Sequence, residues 1–140
     1  MNRNDRRHLW ICTALAVFAC AMVAAASDSL RTARPFVKHL PADTVHYLPL
    51  LEPPLSRAFE SGCVSHAPGK SGSEHSTKSY EEMLVVLRGR GEVVIAESEP
   101  LPVQAGDIAY IPPYTTHFVR NTGDVPLQYV YIATNTEAKP

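Results

Sequence analysis

The sequence predicts an all-β protein, a single small jelly-roll β-barrel. Three observations predict it: short runs rich in Val, Ile, Leu and Tyr from about Arg57 onward, turn residues between them at fairly regular intervals, and no stretch with a convincing helical period. Several short antiparallel strands without a long helical crossover must stack as two sheets or close on themselves, because one open sheet leaves its edges exposed. A jelly roll is the economical solution.

At 140 residues the chain has room for one ordinary domain. Residues 1–26 read as a signal peptide: Arg3, Arg6 and Arg7 precede an uncharged run from Leu9 to Ala26, and polarity returns at Ser27 and Asp28. Ala24 and Ala26 supply the small residues a signal peptidase needs, so the mature chain is expected to begin at Ser27. The alternative is an uncleaved N-terminal anchor, since the run approaches the length that crosses a bilayer. A lipoprotein cut before Cys20 fits less well, because Phe18 is bulky and apolar sequence continues beyond the cysteine. The expected location is therefore periplasmic or extracellular, with membrane contact only through this leader. Cys12 and Cys20 fall in the leader, so Cys63 has no intramolecular disulfide partner in the mature chain and stability must come from the core.

Residues 27–55 read as an N-terminal arm in which Pro35, Pro41, Pro49, Pro53 and Pro54 interrupt regular structure, with one short strand near Val45 to Leu51. The barrel is expected over 56–135, and 136–140 as a disordered tail. Its strands are expected at about Arg57 to Ala67, Ser73 to Thr77, Glu82 to Arg88, Glu92 to Glu97, Asp107 to Ile111, His117 to Asn121 and Leu127 to Thr134. Turns are marked by Pro68 with Gly69, Lys78 to Glu81, Gly89 with Gly91, Pro100 with Pro102, Gly106, Pro112 with Pro113, and Gly123 with Asp124. In Glu82 to Leu87 both faces are apolar after the first residue, so both should be covered. One face fills the barrel; the other needs either the arm or a second copy of the chain, which makes a homodimer one of two expectations.

From Ser27 onward 10 Lys and Arg face 13 Asp and Glu, a net charge of −3 that gives nucleic acid nothing to bind. Cys63 has no histidine or cysteine at metal-site spacing beside it and reads as buried packing, and no Ser or Cys nucleophile motif occurs. Gly89 and Gly91 in RGRGE read as a hairpin turn rather than a phosphate cradle, because no helix follows.

Two spacings stand out. Gly69, five residues, His75, one residue, Thr77, four residues, Glu82, six residues and Gly89 form the first; Gly106, five residues, Pro112, four residues, His117, three residues and Asn121 form the second. Sixteen residues separate them. Together they resemble the two motifs of the cupin superfamily, over roughly Gly62 to Ala133, in a small single-domain, type-2 arrangement. Thr77 stands where most metal-binding cupins have a second histidine, and Tyr114 replaces the usual glycine of the second motif's turn. The resemblance implies a jelly-roll barrel and a small-molecule ligand or substrate at its mouth; resembling cupins include oxygenases, isomerases, decarboxylases and lyases.

Side chains two apart on a strand share a face, so His75 and Thr77 point the same way, Glu82 points with Leu84 and Val86, and His117 points with Val119 and Asn121. An ionised carboxylate is too costly to leave unpaired in a barrel, and a divalent cation held by Glu82 and two neutral imidazoles supplies the partner. Two histidines and one carboxylate are also the ligand set of non-haem iron sites with open positions. The expected metal ligands are His75, Glu82 and His117, with Thr77 as an auxiliary group holding a metal-bound water or a substrate, and iron, manganese, nickel or zinc as the ion. Alternatives are a non-catalytic ligand- or sugar-binding module with a degenerate site, and a structural barrel whose three polar groups only hydrogen-bond. His66 and Glu74 read as solvated or rim residues, Glu81 as facing away from Glu82, and Tyr110, Tyr114, Tyr129 and Tyr131 as packing residues that also suit the mouth.

Overall fold

The computed structural model describes residues 35–41, 46–56 and 58–137, so the leader expected over 1–26 and its cleavage point lie outside the described residues. The chain divides into Met1–Phe36 and Val37–Pro140, and every described strand belongs to the second unit. In chain order these are β1 (Tyr47–Leu51), β2 (Glu60–His66), β3 (His75–Ser76), β4 (Tyr80–Arg88), β5 (Arg90–Ile95), β6 (Leu101–Gln104), β7 (Ile108–Ile111), β8 (Thr116–Asn121) and β9 (Leu127–Asn135). They form two antiparallel sheets, one ordered β1-β2-β9-β4-β7 and the other β3-β8-β5-β6, the double-sheet arrangement of a jelly roll.

Period-two alternation decides which side chains enter the barrel. On β4, Leu84 and Val86 are buried while Met83 and Val85, on the outer face, are only half-buried. Register then stacks the inner residues: Leu84 lies opposite Tyr131, Val86 opposite Tyr129, and Glu82 opposite both Ala133 and Ile111. The apolar core gathers Leu84, Val86, Val93, Val103, Ala109, Ile111, Val119, Leu127 and Tyr129, each large side chain contributing roughly 1.5–3 kcal/mol when fully buried. The buried members come from β4 to β9; Val64 of β2 packs against them half-buried, and residues of β2 and β3 also border open space.

Three expectations change. Leu101–Gln104 is a strand despite Pro102, because β6 is the outermost strand of its sheet and an edge position tolerates a missing N–H. The turn before β4 ends at Ser79 rather than Glu81, since Tyr80 and Glu81 pair with Asn135 and Thr134 of β9. Finally, RGRGE is not a hairpin: β4 and β5 belong to different sheets, and Gly89, at φ +79, turns the chain from one to the other. A side chain at Gly91 would collide with the Arg120 carbonyl oxygen, so this corner is built on close backbone approach.

The arm meets the barrel through β1, which extends the first sheet alongside β2, and through Gln128, whose side-chain amide donates to the Pro41 carbonyl at 2.8 Å. Ile108 and Tyr110 on edge strand β7, together with Leu87, leave an exposed apolar outer face among the described residues.

Asn121 ties three backbone segments together. Its amide nitrogen donates to the carbonyls of His66 (2.8 Å) and Val125 (2.9 Å), and its oxygen accepts from the Gly123 N–H (2.8 Å). Asn121→Ala strips three backbone groups of their partners and should lower unfolding free energy by about 2–4 kcal/mol, read from urea denaturation; an unchanged midpoint would contradict this role.

Candidate metal centre

The site begins with a register. β3 pairs antiparallel with β8 so that His75 lies directly opposite His117, and their ring centroids stand 4.5 Å apart. Glu82, on β4 in the other sheet, reaches the same point: its Oε2 is 3.5 Å from His117 Nε2. One ligand atom from each of His75, Glu82 and His117 lies within 4.8 Å of the others. The His117 side chain is 1% exposed and that of Glu82 12%, whereas His75 is exposed.

Both imidazoles are oriented by backbone. His75 Nδ1 donates to the Ser73 carbonyl at 3.0 Å, and His117 Nδ1 donates to the Thr115 carbonyl at 3.4 Å. A carbonyl oxygen only accepts, so each Nδ1 carries a proton, and in the neutral ring it is Nε2 that holds the free lone pair. The same device, a histidine bonded to the carbonyl two residues earlier, thus prepares two ligands and supplies the outer-shell support that metal-binding imidazoles use.

Burial pushes the Glu82 carboxyl above its ordinary value of 4.5; neighbouring His75 draws it back and Glu60 raises it further. Burial likewise holds His117 below 6.5, against the Thr115 carbonyl, which favours the charged ring. A neutral imidazole and a desolvated carboxylate that lacks a fixed positive partner form a donor set suited to a divalent cation. The spacing agrees, since two ligands on one such ion stand roughly 3–4 Å apart.

Thr77 is buried and borders the cavity, but its hydroxyl serves the backbone: it donates to the Pro112 carbonyl and accepts from the Thr115 N–H, both at 2.9 Å. The donor and one lone pair are thereby used. The hydroxyl clips the Pro112–Thr115 turn to β3 and so fixes Thr115, whose carbonyl orients His117. Tyr114, in the same turn, adopts φ +59, the left-handed conformation that glycine enters without cost. Its N–H donates to the Lys78 carbonyl at 2.6 Å, a second tie between this turn and the one after β3.

The three candidate ligands open onto a cavity of about 560 Å³ that is also lined by Glu60, His66, Lys78, Tyr129 and Tyr131. His66 is half-buried there rather than solvated, because β2 alternation that turns Val64 inward turns His66 inward too. Tyr129 and Tyr131 reach the cavity by the same rule on β9; Glu74 is exposed and borders no part of it, and Tyr110 instead hydrogen-bonds Glu81 on the outside at 3.2 Å. The sequence signal for His66 was its spacing from Val64; its partner Tyr129 lies 63 residues away and only the β2–β9 pairing joins them.

The Cupin domain family matches residues 63–133, just over half the chain. The chain belongs to the cupin family. Among curated relatives, this cupin is 35% identical over 77 residues to a glucose-6-phosphate isomerase of Pyrococcus abyssi, and 31% identical over 77 residues to that of Pyrococcus horikoshii, covering 46% of the chain in each case. The chain spans 41% of the length of these relatives. Among solved structures it resembles a Cupin 2 conserved barrel domain protein from Salinispora arenicola, with a TM-score of 0.62, 26% identity, and coverage of 74% of this chain and 91% of that one. A cupin protein from Bacteroides fragilis shares the fold, with a TM-score of 0.61 at 21% identity over 74% of this chain and 87% of that one.

Two outcomes test the site's electrostatics. A raised carboxyl pKa stabilises the fold below 4.5, and that stability is lost as pH rises through the folded value, so at neutral pH the Glu82 charge destabilises metal-free protein. Lowered His117 acts oppositely, weakening the fold as pH falls below 6.5. Metal-free Glu82→Gln should therefore melt above the parent at pH 7.5 and lose that margin as pH approaches 4.5, followed by thermal denaturation in a chelator. For the clip, Thr77→Val should cost about 1–3 kcal/mol in urea unfolding, with Thr77→Ser recovering most of it; equal losses in both variants would show that the hydroxyl is not what matters.

Proposed function

We propose that this cupin holds a divalent metal ion on His75, Glu82 and His117 and acts on a small organic molecule admitted to the adjoining cavity. The carrying observation is the meeting of two imidazoles with free Nε2 lone pairs and one desolvated carboxylate within 4.8 Å. Three protein ligands leave coordination positions open, as catalytic metal sites do. A bound ion there would act as a Lewis acid on a substrate oxygen.

The chain's own groups do the rest. Backbone carbonyls hold the two rings in the tautomer that presents Nε2, and the apolar core beneath excludes water from the inner side of His117. Of the reactions open to cupins, the curated relatives add weight to isomerisation of a sugar-like substrate. The phosphate in their name has little to meet it here: among the described residues bordering the cavity, Lys78 is the one Lys or Arg. The ion is iron, manganese, nickel or zinc.

A second reading, a small-ligand or sugar-binding module without turnover, draws on Thr77: at the position of the family's second histidine, the hydroxyl is committed to backbone. We place the protein outside the cytoplasm on the strength of the leader pattern, and a second copy of the chain over Ile108 and Tyr110 is the way that exposed face would be covered.

Metal analysis of protein purified without chelators should give close to one equivalent of a first-row divalent ion. His117→Ala should lose it while keeping the strand content of the parent by circular dichroism. Parent protein that stays metal-free after incubation with each of the four ions would sink the proposal, and ligand binding by such protein would favour the module.

A further inference from the structure

The cavity carries a second polar pair that the metal reading leaves unused. His66, the last residue of β2, and Tyr129 of β9 both border it, with Tyr129 Oη 3.4 Å from His66 Nε2 and the ring centroids 5.8 Å apart. The Tyr129 ring belongs to the apolar core, so the hydroxyl is the one polar handle on a buried side chain. A contact of 3.4 Å is long for a hydroxyl bond, so each group retains capacity for a further partner, and buried polar groups with spare capacity beside open space are what a ligand hydroxyl satisfies.

Access to this pair depends on Gly72. A methyl group there would stand 3.5 Å from His66 Nε2 and 3.7 Å from Cε1, in ordinary contact, so the ring edge faces open space only because residue 72 lacks a side chain. The lining narrows the occupant: Lys78 and a bound divalent ion would balance the Glu60 and Glu82 carboxylates, while Ser73, Ser76 and Tyr131 add hydroxyls, a polar lining that matches a hydroxylated molecule.

We infer that His66 and Tyr129 form a hydroxyl-binding subsite, so that the cavity takes a polyhydroxylated molecule with a metal-binding oxygen at one end and a hydroxyl held between imidazole and phenol. This rests on the metal-binding reading above. Burial supports the pairing, since it keeps the phenol protonated as donor and lowers the imidazole towards its neutral, accepting form.

The experiment compares two chelators on the full chain carrying its metal, by isothermal titration: acetohydroxamic acid, which has no hydroxyl tail, and D-arabinonohydroxamic acid, which has one. The parent should bind the second roughly tenfold or more tightly than the first. Tyr129→Phe, which keeps the ring, and Gly72→Ala, which only covers the imidazole edge, should each shrink that ratio several-fold without changing acetohydroxamate affinity, metal content or melting temperature. If Tyr129→Phe fails to fold, Gly72→Ala decides alone. A parent ratio near one, or a ratio unchanged in the variants, overturns this inference while leaving the metal centre standing. A chain that carries no metal overturns the metal-centred reading and this inference with it, whereas a metal-loaded chain that binds neither hydroxamate overturns this inference alone.

Discussion

A carboxylate held inside a barrel, away from any fixed positive charge, dominates this molecule's chemistry. Glu82 points inward because it shares a face with Leu84 and Val86, two and four residues along the same strand, which the structure buries in the core. Burial then raises its proton affinity and makes the charged form expensive unless a cation arrives. His75 and His117 answer from the facing sheet with ring nitrogens oriented by backbone carbonyls. The centre is therefore poised for a metal ion by the same packing that stabilises the fold.

The departures from the family's usual pattern are coupled in space. Thr77 and Tyr114 are far apart in sequence, yet both govern the turn that precedes His117: the hydroxyl of one clips Pro112 and Thr115, and the backbone of the other bonds Lys78. A position that elsewhere supplies a fourth ligand here supplies rigidity. Fewer protein ligands would leave more of a bound ion's coordination sphere open, while the clip preserves the orientation of His117 through the Thr115 carbonyl. Tyr114 accepts a left-handed backbone at some cost in order to close the same turn.

Much of the fold was legible because β-structure writes its period into the chain. Runs such as Glu82 to Leu87 and Leu127 to Thr134 announce strands, and Gly and Pro mark most of the corners. Leu101–Gln104 escaped because proline argues against a strand unless its edge position is known, and edge position is a property of the sheet. The RGRGE corner was misread for a related reason: two strands joined by a tight turn usually pair, and only the assembled sheets show that these two part company.

What could be read from the residues alone was the strand alternation and which side chains share a face with His75, Glu82 and His117, because a period of two and the spacing of turns are local properties; that those faces turn inward was an implication of the cupin resemblance. Tertiary structure alone decided that Thr77 spends its hydroxyl on a turn 35 residues away, that Gly72 leaves the His66 edge open, and that Tyr129 completes a pair with that ring. Each of these depends on which strands become neighbours and in what register, and register follows from minimising exposed apolar area over the whole barrel rather than from any short stretch of residues.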